Sequence, residues 1–287
     1  MEGRINFYFT TNSFPAVSLT GASCALSCKH CKKKLIERLP AAEEPKKLVD
    51  LCMSFHENGA RGVLFTGGCD PGGKVPLYPF LDAFREIKER TGMLLIAHTG
   101  VLDYPEAKSL KDAGLDGVCV DVVGSADTTR EIYGIELYPE DYRKTLKALE
   151  RAKINNISPH ICVGLHNGRL HHELAALDII SAIKPTTIVV IGLTNLVGTP
   201  MEDVRIRPED FLEVLYAARE RFPKTYLSVG CAHGKGVIRS EIDRLAVRAG
   251  VDAIALPTPA AYREAAALGL EVREYGACCC LPPEQLK

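Results

Sequence analysis

Cys24, Cys28 and Cys31 stand in the run Ser-Cys-Ala-Leu-Ser-Cys-Lys-His-Cys, a C-x3-C-x2-C spacing. Thiolates that close together in one loop can converge on a metal ion or an iron–sulfur cluster. A 4Fe–4S cluster takes four thiolates, so a loop that supplies three leaves one iron open to a ligand that is not protein. Zinc competes for such a loop, but a structural zinc site is closed and would want a second ligand pair at similar spacing. His30 is a local fourth donor, although ligands at adjacent positions rarely converge well. A disulfide is not expected in a chain without secretory features. The eleven cysteines read as metal ligands plus buried small hydrophobes. Cys52, Cys119 and Cys162, each among apolar neighbours, belong to the second kind.

Such a loop needs a rigid frame. Apolar β-like runs alternate with helical patterns eight times along the chain. The predicted strands are Val17–Thr20, Gly62–Thr66, Met93–Ala97, Gly117–Val122, Pro159–Val163, Thr187–Ile191, Tyr226–Val229 and Asp252–Leu256. Between them, helices are predicted over Glu44–Glu57, Pro79–Arg90, Pro139–Lys153, His172–Ile183, Pro208–Arg221, Ser240–Ala249 and Ala260–Leu268. Pro139 and Pro208 suit first turns, and Gly59, Gly114, Gly250 and Gly269 suit helix stops. Strand–helix–strand units of about 30 residues imply parallel strands joined by right-handed crossovers. Eight of them can close a (β/α)8 barrel of the TIM type. With no linker or break in composition, residues 1–287 read as one domain, with a cysteine-rich tail over residues 271–287 that carries Cys278, Cys279 and Cys280.

In such barrels chemistry sits at the carboxyl ends of the strands. The cysteine loop follows the first predicted strand, Thr66-Gly67-Gly68-Cys69 ends the second, and His98-Thr99-Gly100 ends the third. Asp121 ends the fourth, Gly164-Leu165-His166 the fifth, and Gly230-Cys231-Ala232-His233-Gly234 the seventh, while Gly192–Pro200 follows the sixth. The polar, glycine and cysteine features therefore gather on one rim. His171 and His172 begin a helix outside this pattern and read as structural.

Bulk properties narrow the function. The chain is 46% hydrophobic and 25% charged, enough for a large core, and its net charge of −1 argues against generic nucleic-acid binding. Lys32-Lys33-Lys34 reads as a solvated loop. The lack of an apolar run of about 18 residues argues against a membrane span, and the first residues lead into no signal-peptide core. The expected location is cytoplasmic.

With these features in place, the sequence resembles the biotin-synthase-like branch of the radical SAM superfamily, from Cys24 to about Pro257. The resemblance implies that Cys24, Cys28 and Cys31 bind a 4Fe–4S cluster whose open iron takes S-adenosylmethionine (SAM). It implies that Gly67-Gly68 contact the methionine moiety through backbone groups, although Cys69 stands where the family has an acidic residue. It also places Asp121 near the SAM ribose and Arg143 at the SAM carboxylate, which a guanidinium suits by donating two parallel hydrogen bonds. Val197-Gly198-Thr199-Pro200-Met201 and Leu227-Ser228-Val229-Gly230 repeat family landmarks. After the second of these, biotin synthase uses an arginine as ligand to a second cluster, and this chain has Cys231. A thiolate there suits an auxiliary 4Fe–4S cluster, with Cys278, Cys279 and Cys280 as further ligands if the tail folds over the barrel mouth. Three adjacent cysteines in an extended strand point alternately, so a turn near Gly276 and Pro282-Pro283 would be needed.

Within that branch, Gly67-Gly68-Cys69-Asp70, His98-Thr99-Gly100, Gly230-Cys231 with Arg239, and the cysteine-rich end resemble the two-component lipoyl synthase of archaea and some bacteria, as its second subunit. That resemblance implies a sulfurtransferase. A 5′-deoxyadenosyl radical would abstract hydrogen from an octanoyl-lysyl chain, and the auxiliary cluster would donate sulfur. The implied partners are a companion subunit, an octanoylated carrier such as the glycine-cleavage H protein, and an electron donor such as ferredoxin. The alternatives are another biotin-synthase-like radical SAM enzyme, a mutase or a carbon–carbon bond-forming enzyme, and a non-catalytic iron–sulfur or zinc scaffold.

Overall fold

The computed structural model describes residues 3–10 and 12–286. Its strands are β1 (Arg4–Tyr8), β2 (Ala16–Ser18), β3 (Gly62–Thr66), β4 (Leu94–His98), β5 (Gly117–Asp121), β6 (Asn156–Val163), β7 (Thr187–Gly192), β8 (Tyr226–His233), β9 (Ala253–Ala255) and β10 (Glu271–Tyr275). The helices are α1 (Pro45–Glu57), α2 (Leu81–Thr91), α3 (Tyr104–Asp112), the short α4 (Ala126–Thr128), α5 (Pro139–Arg151), α6 (Glu173–Ile180), α7 (Pro208–Arg221), α8 (Gly236–Arg248) and α9 (Pro259–Ala267). Pro139 and Pro208 do open α5 and α7, where a missing N–H costs no hydrogen bond.

All ten strands join one parallel sheet in the order β10-β1-β9-β8-β7-β6-β5-β4-β3-β2. The sheet curls into a partial barrel, and no ladder joins β2 to β10 among the described residues. Each predicted strand is present within a few residues. Two more lie outside the eight: β1 pairs with β9 on one side and β10 on the other. The sequence Glu-Val-Arg-Glu-Tyr of β10 is largely exposed, so it has no apolar alternation for a pattern to show.

Side chains alternate across each strand, which separates two cores. Leu95, Ala97, Val118 and Val120 face the helices in the larger core. Ile96, Cys119, Val189, Ala253 and Ala255 face inward, with Tyr8 and residues 277–281. Residues 271–287 were expected as a tail over the mouth. Residues 271–275 are instead the edge strand β10, and the segment after it turns into the interior toward the amino-terminal ends of β6 and β7. There the Cys280 carbonyl accepts hydrogen bonds from Asn156 Nδ2 (2.9 Å), Ser158 Oγ (3.2 Å) and Thr187 Oγ1 (2.8 Å). Tyr8 Oη donates to the Leu281 carbonyl at 2.8 Å. The tail is thus an interior plug at the end opposite the rim.

Candidate active site

The cysteine loop leaves β2 and is folded by its own backbone. Ser23 N donates to Thr20 O, Lys32 N to Cys28 O and Lys34 N to Cys31 O. Lys32 and Lys33 hold φ of 46° and 69°, a left-handed region that costs energy for residues with a Cβ. This tight turn brings the ligand atoms of Cys28, His30 and Cys31 within 4.8 Å of one another.

The end of β3 clamps Cys24. Gly68 N donates to Thr20 Oγ1 at 2.7 Å, Cys69 N to Cys24 Sγ at 3.2 Å, and Ala25 N to Cys69 O at 2.8 Å. A Cβ on Gly68 would lie 2.0 Å from Ser23 O and 2.4 Å from Cys24 Cβ, so only glycine lets the loop dock. The glycine pair therefore has a packing role, in addition to the backbone contact with SAM that the sequence led us to expect.

A second support was not anticipated. Residues Thr129–Tyr133 form a π-type turn, a conformation frequent at functional sites. Lys29 N donates to Ile132 O at 2.8 Å, Cys28 Sγ approaches Tyr133 O at 3.9 Å, and the His30 and Tyr133 rings lie 5.4 Å apart. The one sequence signal for this turn is Gly134, which takes a left-handed φ just after it.

Cys28 and Cys31 share a proton. The hydrogen bond from Cys28 lowers the Cys31 thiol to about 4, helped by His30, while that same hydrogen bond, then burial, pushes Cys28 up. A thiolate is the form that binds metal. His30 thus acts as a hydrogen-bonding neighbour of Cys31, although adjacency argued against it as a ligand. Three thiols on one loop, one of them ionised and another receiving a backbone N–H, fit a cluster with an open iron.

Other rim residues surround this loop. Cys69 is pushed up to about 12 by burial, then by the charges of Cys24 and Asp121. Asp121 ends β5 with its carboxylate half exposed, and His98 Nδ1 lies 3.7 Å from it. Arg143 sits in the first turns of α5 with its Nε 3.3 Å from Glu140. The preceding residue, Tyr142, is buried and its hydroxyl is pushed up by burial and then by Asp121. His172 is fully buried, its Nδ1 accepting from Gly124 N. His233, also fully buried, bonds Asp243 at 2.8 Å. Both are framework residues, whereas His171 stacks on the rim residue His166 at 4.2 Å.

The tail cysteines lie inside the barrel, 8%, 4% and 0% exposed for Cys278, Cys279 and Cys280. Cys278 lies between the other two thiols and meets both. Cys278 and Cys280 have sulfurs 3.2 Å apart, and Cys280 hydrogen-bonds Cys119. Cys279 turns toward Ser228 and Cys231. Cys231 is an exposed residue near the end of β8, its thiol pushed up by local desolvation and then by the charge of Cys278. Hydrogen bonds from Cys279 and Cys280 hold Cys278 well below the usual thiol range. Cys119, expected to be a small hydrophobe, thus belongs to a group of interior thiols. Cys52 stays as expected: it is fully buried and pushed up to about 12 by desolvation. Arg239 fastens the ends of β8 and β9, donating to Cys231 O (3.1 Å), Ala255 O (3.3 Å) and Leu256 O (2.8 Å).

A curled parallel sheet that holds a three-thiol loop at its carboxyl rim defines a class of cluster-bearing α/β enzymes. The sequence profile of the Radical SAM superfamily matches residues 18–178, and the chain belongs to that superfamily. It is 28% identical to the biotin synthase of Chromobacterium violaceum over 253 residues, covering 83% of this chain and 73% of that protein. It is 24% identical to the biotin synthase of Buchnera aphidicola over 264 residues, covering 88% and 74%. The fold resembles that of methylornithine synthase (PylB), with a TM-score of 0.66, 16% identity, and coverage of 94% of this chain and 84% of that one. It also resembles the FeFe-hydrogenase maturase HydG from Carboxydothermus hydrogenoformans, with a TM-score of 0.62, 18% identity, and coverage of 88% and 58%. The protein is a radical SAM enzyme of the biotin-synthase-like type, and membership implies a 4Fe–4S cluster and SAM. Among the described residues no helix is long and apolar enough to cross a membrane.

Proposed function

We propose that this enzyme inserts sulfur at an unactivated C–H bond of an octanoyl-lysyl chain, as one component of a lipoyl synthase. The observation that carries the reading is the row of buried tail thiols, Cys278 to Cys280, inside the same sheet that presents the cysteine loop at its rim. When bound, the cluster and SAM supply a radical able to take hydrogen from carbon, and a second cluster would supply the sulfur. The similarity to biotin synthases supports sulfur insertion as the class of reaction.

The residues divide the work as follows. Cys24, Cys28 and Cys31 hold the rim cluster, with Cys69 N bonding the Cys24 sulfur. Gly67 and Gly68 offer backbone to the methionine part of SAM, Asp121 offers a carboxylate to its ribose, and Arg143 offers a guanidinium to its carboxylate once it leaves Glu140. Cys231 and the tail thiols hold the sulfur source. The curled sheet keeps water and competing hydrogen donors from the reacting carbon. An acyl-lysine arm reaches such an interior only on a flexible carrier. The proposed partners are therefore an octanoylated protein such as the glycine-cleavage H protein, a companion subunit and a ferredoxin-type reductant.

The test is anaerobic incubation with SAM, a strong reductant and an octanoyl-lysyl peptide, followed by mass spectrometry. Gain of one sulfur by the peptide is expected, and a second sulfur when the companion subunit is added. 5′-Deoxyadenosine without any sulfur in the peptide would sink the reading. One observation favours a second reading, a radical SAM mutase or carbon–carbon bond-forming enzyme. The three side-chain hydrogen bonds to Cys280 O hold the plug by protein contacts alone, as a structural tail requires.

A further inference from the structure

The register of the interior strands brings together donors that neither the rim site nor the sulfur-source reading uses. His98 is paired with Cys119 across β4 and β5, and Asp121, two residues on, is paired with His160 across β5 and β6. Cys119 and Asp121 share the inner face of β5, because side chains two apart point the same way. The ligand atoms of His98, Cys119 and His160 consequently lie within 4.8 Å of one another.

We infer that His98, Cys119 and His160 form a metal centre of their own: a three-donor nitrogen–sulfur site for one divalent ion, Zn2+ or Fe2+.

The dimensions favour one ion. Metal–nitrogen bonds of about 2.0–2.1 Å and metal–sulfur bonds of about 2.3 Å in a tetrahedron separate the ligand atoms by roughly 3.3–3.8 Å. Donors already within 4.8 Å need only small movements to reach that. A four-iron cluster holds its thiolates further apart, because each binds a different iron. Two imidazoles with one thiolate are a donor set suited to zinc or iron.

The outer contacts orient the rings as ligands. His160 Nδ1–H donates to Ser158 O at 2.9 Å, which leaves the lone pair of Nε2 free. His98 Nδ1 faces the Asp121 carboxylate at 3.7 Å, the kind of partner that raises the basicity of a ligand imidazole. The site is sealed: Cys119 is 1% exposed and His160 8%.

The test uses the full chain with Cys24, Cys28 and Cys31 replaced by Ala, so that the rim loop binds nothing. Anaerobic titration with Co2+ is read by its tetrahedral d–d bands and its thiolate charge-transfer absorption. One equivalent is expected with both signatures. In that background His160→Gln, Cys119→Ser and His98→Gln should each weaken binding by at least about tenfold. His98 is partly exposed, so its variant remains informative if the buried ones lose their fold by circular dichroism. Metal analysis of protein purified without added metal then shows zinc or iron as the native occupant. A cobalt spectrum unchanged by all three substitutions would overturn the inference. So would a folded protein that binds no cobalt, or acid-labile sulfide held by these residues in place of a single ion.

Discussion

The rim loop and the interior plug both present thiols, and they hold them by opposite means. At the rim, Cys24, Cys28 and Cys31 hang from backbone: a left-handed lysine pair, a π-type turn and a glycine edge place them. In the interior, side chains from β1, β6 and β7 converge on a segment that has no regular structure around its cysteines, and one carbonyl accepts three hydrogen bonds. Backbone scaffolding leaves side chains free to meet a ligand that arrives from outside. Side-chain scaffolding fixes a segment from all sides and shuts it away from solvent. The comparison teaches that the rim is built for exchange of its occupant and the interior for retention.

The largest effect separating the two regions should come from Cys24/Cys28/Cys31→Ala. Chromatographic assay of 5′-deoxyadenosine after anaerobic reduction with SAM should show no product above background, with interior thiol reactivity unchanged. Normal product would break the assignment of the rim. Next comes Gly68→Ala. The added methyl meets Ser23 O and Cys24, so the loop must shift. Iron bound per chain after reconstitution should fall at the rim, while thermal stability changes less than in a core variant.

Thr187→Val acts only in the interior. It removes one of three donors to the Cys280 carbonyl while keeping shape, and should cost about 0.5–1.5 kcal/mol in denaturant unfolding, with the rim iron retained. Equal loss of rim iron would show that the two regions are coupled.

The smallest effect concerns Cys52, the reference buried thiol. Its folded value of about 12 lies above the ordinary 9.0. A raised value means stability that is full below pH 9 and declines as pH rises from 9 toward 12, because the unfolded thiol ionises first. Cys52→Ala should flatten that decline in a stability–pH series. Folded protein should also resist alkylation at Cys52 at pH 8.5 and react once unfolded.

Much of this was legible in the sequence. Alternating apolar runs located β2 to β9, and the C-x3-C-x2-C spacing with Gly67-Gly68 located the rim. What stayed hidden depends on distant pairing. Arg4–Tyr8 and Glu271–Tyr275 become strands by pairing with each other and with β9. The α3 helix announces itself only by a capping box between Asp103 and Glu106, with Gly114 after its end. Cys119 read as a hydrophobe because nothing local says which cysteines a tail from the far end of the sequence will meet. The turn at the three cysteines, closed by Leu281 N donating to Cys278 O at 3.1 Å, followed from the flanking Gly276 and Pro282-Pro283. Their destination at the amino-terminal ends of β6 and β7 did not.

The adjacency of β10 and β1 has a consequence for biogenesis. Synthesis delivers the strands in sequence order, and domains fold as they emerge. The first strand therefore waits for the last, and the interior stays open to small ions until the segment after β10 is made. Anything lodged among Cys119, His160 and the tail thiols is enclosed at that closing step. The rim can be filled, emptied and refilled in the finished protein. An interior centre of the kind inferred above would then be provisioned during folding and the rim cluster afterwards.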